Sequence, residues 1–144
     1  MADCIFCDIV NHRAEATLLW QDHLVTAFLD IQPVNAGHMD IVPNNHAANL
    51  AELPGDTAAH LFRIALRLAG ALRVSGLPCK GVNMFLADGE AAGQEISHVH
   101  LHVFPRVSGD GFGLHFGEEY YTKPSRAALT DVGRMIRTAL DGSW

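Results

Sequence analysis

The stretch His98-Val99-His100-Leu101-His102-Val103-Phe104 alternates imidazole with aliphatic side chains. Alternation at period two marks a strand with two unlike faces, so His98, His100 and His102 are predicted to share one face about 7 Å apart while Val99, Leu101 and Val103 turn to a core. With 9 histidines in 144 residues, three at alternate positions arise by chance only about 0.04 times. Such a row therefore reads as a site. Imidazole titrates near neutrality, so an unprotonated ring is available to attack phosphorus or to bind metal.

Working outward, apolar stretches at 17–20 and 24–29 flank Gln21-Asp22-His23, a plausible hairpin, and a third strand is predicted at 38–42 before Pro43. From Pro54 or Asp56 the period changes: Ala58, Leu61, Phe62, Ala65, Leu68, Ala69 and Leu72 fall at helical spacing until Gly76. Strands at 81–86 and 98–104 follow, the second ended by Pro105. A last helix is predicted over 125–140, with Leu129, Val132, Ile136 and Leu140 on its buried side. Residues 4–10 read as a short helical or irregular segment. The order predicts an α+β class with a mainly antiparallel five-stranded sheet and two helices, in a single domain over 1–144.

A net charge of −6 and no cluster of Lys or Arg argue against a nucleic-acid partner, because gripping a phosphate backbone needs a basic patch. No apolar run reaches the roughly 18 residues of a membrane span, and the first residues lack the pattern of a secretory leader. The expectation is a cytoplasmic protein without membrane attachment. Cys4, Cys7 and Cys79 should then stay reduced, and Cys4-x-x-Cys7 points to metal or redox chemistry rather than a disulfide.

The segments Cys4-Ile5-Phe6-Cys7, Asp30-Ile31-Gln32-Pro33-Val34-Asn35-Ala36-Gly37-His38, Ile41-Val42-Pro43-Asn44-Asn45-His46 and Ala92-Gly93-Gln94, together with the histidine strand, resemble the histidine triad family. The resemblance implies a domain that joins two sheets across a homodimer, with one nucleotide site per subunit and a purine nucleotide as partner. It makes His100 the nucleophile, with a nucleotidyl-histidine intermediate, and His102 the neighbour that contacts or positions the phosphate. Asp30 matches the ribose-binding acid, Ile31 lies near the base, and Gly93 and Gln94 stand beside the α-phosphate. Backbone amides of residues 92–94 are expected to face that phosphate. The implied activity is cleavage of a nucleoside phosphoramidate, nucleotidyl adduct or dinucleoside polyphosphate to a nucleoside monophosphate.

The resemblance also implies one structural zinc per subunit on Cys4, Cys7, His46 and His98, a set of two thiolates and two imidazoles that suits a closed tetrahedral site. Ala87 stands where relatives often carry Asn or Gln to hold phosphates. His102, rather than the Gln of related transferases, favours hydrolysis over transfer. Two other readings remain open: a nucleotide-binding regulatory protein with little turnover, and a metal centre on His98, His100 and His102. His38 and His60 read as a hydrogen-bonded structural residue and a surface residue.

Overall fold

A computed structural model of the chain describes residues 4–142. The chain divides after Phe112 into two compact units. In the first, strands β1 (Leu18–Gln21), β2 (Val25–Leu29), β3 (Met39–Pro43), β4 (Gly81–Leu86) and β5 (Leu101–Arg106) form one sheet in the order β1-β2-β3-β5-β4. Every neighbouring pair is antiparallel. Helix α1 (Ile5–Val10) precedes the sheet, and α2 (Gly55–Val74) carries the chain from β3 to the far edge, so that β5 returns between β3 and β4.

Pro54 caps α2 and Asp56 sits in its first turn, where a negative charge meets the positive end of the helix dipole. Leu61, Ile64, Ala65, Ala69 and Leu72 make its buried stripe, which packs on Val25, Ala27, Met39, Ile41, Leu101 and Val103. The residues between these in the strands, Thr26, Phe28, Asp40, Val42, His102 and Phe104, turn to the opposite face by the pleat. There α1 covers part of the sheet, with Phe6 and Ile9 packed against Phe28 and Val42. A buried face and a site face thus follow from one period.

Gly37 makes the tight entry to β3 possible. Its φ is +100°, and a Cβ there would lie 2.8 Å from Cδ2 of Leu72, too close for a side chain. The strand predicted at 98–104 is displaced: β5 begins at Leu101, and His98 to His100 form its irregular lead-in. Nor does Pro105 end it. Its carbonyl points beyond the end of the β3 pairing and accepts from the Asn35 side chain at 2.9 Å, so the missing N–H interrupts no ladder.

The described residues hold three α-helices, because Ile5–Val10 closes a full turn and a half. In the second unit α3 (Arg126–Asp141) is capped by Ser125 Oγ, which accepts from the Ala128 amide at 3.1 Å. Its expected buried side is corrected: Leu129, Val132, Ile136 and Leu140 are 44, 54, 58 and 55% exposed. Helical period locates a stripe but not a partner to cover it. Trp144 lies outside the described residues. No helix among them is long and apolar enough to cross a membrane.

Candidate functional site

His100 is buried where the lead-in meets β5. Its Nδ1–H donates to the His98 carbonyl at 2.7 Å. That bond consumes Nδ1 and leaves Nε2 as the nitrogen with a lone pair. The ring edge packs on Phe6, centroid to centroid 5.1 Å, so the imidazole is held from behind by an apolar wall. His100, His102, Asp30, Ile31 and Gly93 line one cleft of about 500 Å³, together with Phe6, Ile9, Phe28, His38 and Glu95. Its size suits a small organic ligand, with an apolar end and a polar end. Asp30 Oδ1 accepts from the Gln32 amide at 2.7 Å, while Ile31 is 99% exposed.

Gln94 is placed differently. It lines a neighbouring hollow with Asn49, Glu90 and Ser97, and its amide holds the loop together: Oε1 accepts from the Gly89 amide at 2.7 Å, and Nε2 donates to the Ala48 and Ile96 carbonyls at 2.8 and 3.0 Å. The backbone amides of Ala92, Gly93 and Gln94 were expected to face a phosphate. Instead they donate to the Gly89 and Glu90 carbonyls within a 3-10 turn at Glu90–Ala92. A short glycine-flanked turn satisfies its own donors. Ala87 is buried at the end of β4 and is not on the cleft wall.

Cys4, Cys7, His46 and His98 converge, with one ligand atom from each within 4.8 Å of the others. Cys4 Sγ lies 3.4 Å from His98 Nδ1, and Cys7 Sγ lies 3.4 Å from His46 Nδ1. His98 Nε2–H donates to the Pro43 carbonyl at 2.9 Å, so its Nδ1 lone pair is turned toward the sulfurs, the arrangement a metal-binding imidazole requires. Burial holds the His98 imidazole below its ordinary value; the Pro43 bond opposes this, and the fields of His46 and His100 add to it. Burial and the neighbouring Cys4 push the Cys7 thiol up to about 11. A cation would lower both thiols toward thiolates, and the set of two sulfurs and two imidazoles fits one. Because His98 points away from His100 into this cluster, the three triad rings do not converge on a single ion.

His102 points the other way. Its Nδ1 lies 2.9 Å from His38 Nε2 and 2.6 Å from Asp40 Oδ1, with Asp30 Oδ2 at 3.9 Å. Burial opposes charge on His102, but the hydrogen bond and field of Asp40, aided by Asp30 and Glu95, outweigh it and raise its affinity for a proton. His38 goes down instead, chiefly through burial. Asp40 is 4% exposed and was missed from sequence, although an acid inside Met39-Asp40-Ile41-Val42 is a signal in an otherwise apolar strand. Phe6 was missed too. His60, expected at the surface, is half-buried and bonded to Asp22 at 2.7 Å.

Residues 11–109 match the model of the HIT domain. An uncharacterised HIT-like protein of Borreliella burgdorferi is 37% identical over 83% of this chain and 86% of its own. A Saccharomyces cerevisiae protein named adenosine 5'-monophosphoramidase is 36% identical over 73% of this chain and 63% of its own. The crystal structure of a zinc-bound histidine triad family protein from Mycobacterium smegmatis superposes with a TM-score of 0.73 at 34% identity, covering 98% of this chain and 97% of that one. With the matched segment spanning the whole sheet and both histidine clusters, the chain belongs to the histidine triad (HIT) family.

Proposed function

We propose that this protein hydrolyses the α-phosphate bond of a nucleoside phosphoramidate, nucleotidyl adduct or dinucleoside polyphosphate. The nucleotidyl group passes to Nε2 of His100 with departure of the leaving group, and water then displaces the histidine to release a nucleoside monophosphate. The observation that carries this reading is the Nδ1–H of His100 tied to the His98 carbonyl, which directs the Nε2 lone pair to a cleft of nucleotide size. Asp30 and Ile31, on the same cleft, would meet ribose and base, and His102 the phosphate. The yeast phosphoramidase among the relatives supports the reaction class.

Cys4, Cys7, His46 and His98 would hold a structural zinc, which ties the segment before α1 to the lead-in of β5 and leaves no open position for water. The zinc-bound mycobacterial relative supports the choice of metal. Exposed Phe62 and Leu66 on α2 and the free edge of β4 support a homodimer. Reduced Cys4 and Cys7 accord with a cytoplasmic location. The test is turnover of an adenosine phosphoramidate and of a dinucleoside polyphosphate by the protein and by His100→Ala. Equal rates in the two proteins would remove His100 from the reaction, and tight nucleotide binding without turnover would leave a binding protein.

A further inference from the structure

Asp40 and His102 are cross-strand partners on β3 and β5, both on the site face. The carboxyl lies beneath the imidazole, with its side chain 5% exposed against 21% for His102. Protons can be assigned from the backbone upward. The Val34 amide donates to His38 Nδ1 at 3.0 Å, and an amide can only donate, so His38 Nδ1 carries no hydrogen and its Nε2 does. That Nε2–H is aligned with His102 Nδ1. His38 Nε2 also lies 3.5 Å from Asp30 Oδ2, the acceptor its hydrogen keeps when His102 Nδ1 carries one of its own, and His102 Nε2 is the nitrogen left for the cleft.

Asp40 Oδ1 remains. It is fully buried and has no aligned hydrogen-bond partner, yet it lies 2.6 Å from His102 Nδ1. Nitrogen and oxygen approach that closely only with a proton between them. With that proton on Nδ1 and a second hydrogen on Nε2, His102 is an imidazolium beside a carboxylate. When the ring loses a proton, the Nδ1–H held by the carboxylate stays, and Nε2 is the nitrogen that gives its hydrogen up.

A divalent cation among Asp30, His38, Asp40 and His102 is the competing explanation, since their ligand atoms lie within 4.8 Å of one another. The Val34 bond speaks against it: a ring that accepts at Nδ1 can ligate through Nε2 only by losing its last hydrogen.

We propose that Asp40 is a positioning residue of the His100 site: its buried Oδ1 shares one proton with Nδ1 of His102, so that His102 meets the α-phosphate as a proton-bearing donor through Nε2. This role rests on the hydrolysis proposed above. Within this unit the groups facing His102 are His38 and Asp40 of β3, Asp30 after β2, Glu95 before β5 and His100 in its own segment. Only Asp40 lies within 3 Å of Nδ1 with a carboxyl oxygen. Its charge keeps the proton-bearing form to higher pH, so that form is present below the raised value and lost above it.

The test uses nitrogen-edited NMR of the imidazoles in the full chain, beside Asp40→Asn and Asp40→Leu, two substitutions of similar size that suit a buried strand. In the parent, His102 should hold its second proton to above the ordinary histidine range, and Nε2 should be the nitrogen that loses it. Both variants should lower its midpoint by one pH unit or more, and the alkaline limb of kcat/KM should move down with it, a loss of about tenfold at pH 8 carried by KM, with the rates converging at low pH. A His102 midpoint that is absent, or unmoved in both variants, overturns the proposal whatever the activity. Absence of turnover with the shift intact removes the hydrolysis reading, and with it the catalytic side of this role, while the shared proton stands.

Discussion

The Nδ1–H of His100 donates to the backbone carbonyl of His98 at 2.7 Å, so the residue that faces the Cys4–Cys7 cluster also sets the tautomer of the residue that faces the cleft. His100→Ala removes the free nitrogen without touching that cluster. Its expected effect is loss of roughly 10³-fold or more in kcat. Intact mass after brief exposure to an activated adenylate should show one nucleotidyl group on the parent and none on the variant.

Joint replacement Cys4→Ser and Cys7→Ser takes away two of four ligands. Elemental analysis should find about one zinc per chain in the parent and in His100→Ala, and none in the double variant. The double variant should also melt at lower temperature, because a metal on this set would fasten Cys4 and Cys7 to His46 and His98. Zinc surviving the loss of both sulfurs would place the metal elsewhere.

Gly37→Ala forces a side chain into a φ of +100° and onto Leu72. The expected cost is about 1–3 kcal/mol, from backbone strain and overpacking together. Urea denaturation at neutral pH measures it, and a midpoint unchanged from the parent would contradict the contact.

Acid stability should depend on Asp22. Burial opposes its charge, but bonds from His60 at 2.7 Å, from Trp20 at 2.8 Å and from the Leu24 and Val25 amides prevail and hold it well below the ordinary 3.8. A carboxyl depressed in the folded state stabilises fully above the unfolded value and loses this contribution as pH falls toward the folded one. Melting temperature should therefore drop steeply below about pH 4 in the parent. Asp22→Asn should start lower at pH 6 and fall less between pH 6 and pH 3.

The two periodicities of the chain carried most of the fold in advance. Alternation from His98 to Phe104 separates a core face from a site face, and the spacing of Leu61, Ala65, Ala69 and Leu72 places α2. Where the forecast failed, one deciding contact was remote in sequence and another was local. Pro105 continues β5 where Asn35, 70 residues away, donates to its carbonyl. The amides of residues 92–94 turned inward because the local 3-10 turn offered them acceptors.

Sequence by itself determined the histidine row, the Cys4-x-x-Cys7 pair and the pleat that parts His102 from Leu101 and Val103, because these follow from residue type and a period of two. Only the tertiary structure decided how the row is divided. His98 turns to the sulfurs because the Pro43 carbonyl takes its Nε2–H, and His102 turns to Asp40 because antiparallel register sets β3 against β5 at that residue. Pairing across a sheet is a long-range choice, and no local pattern states which acid will lie beneath which imidazole.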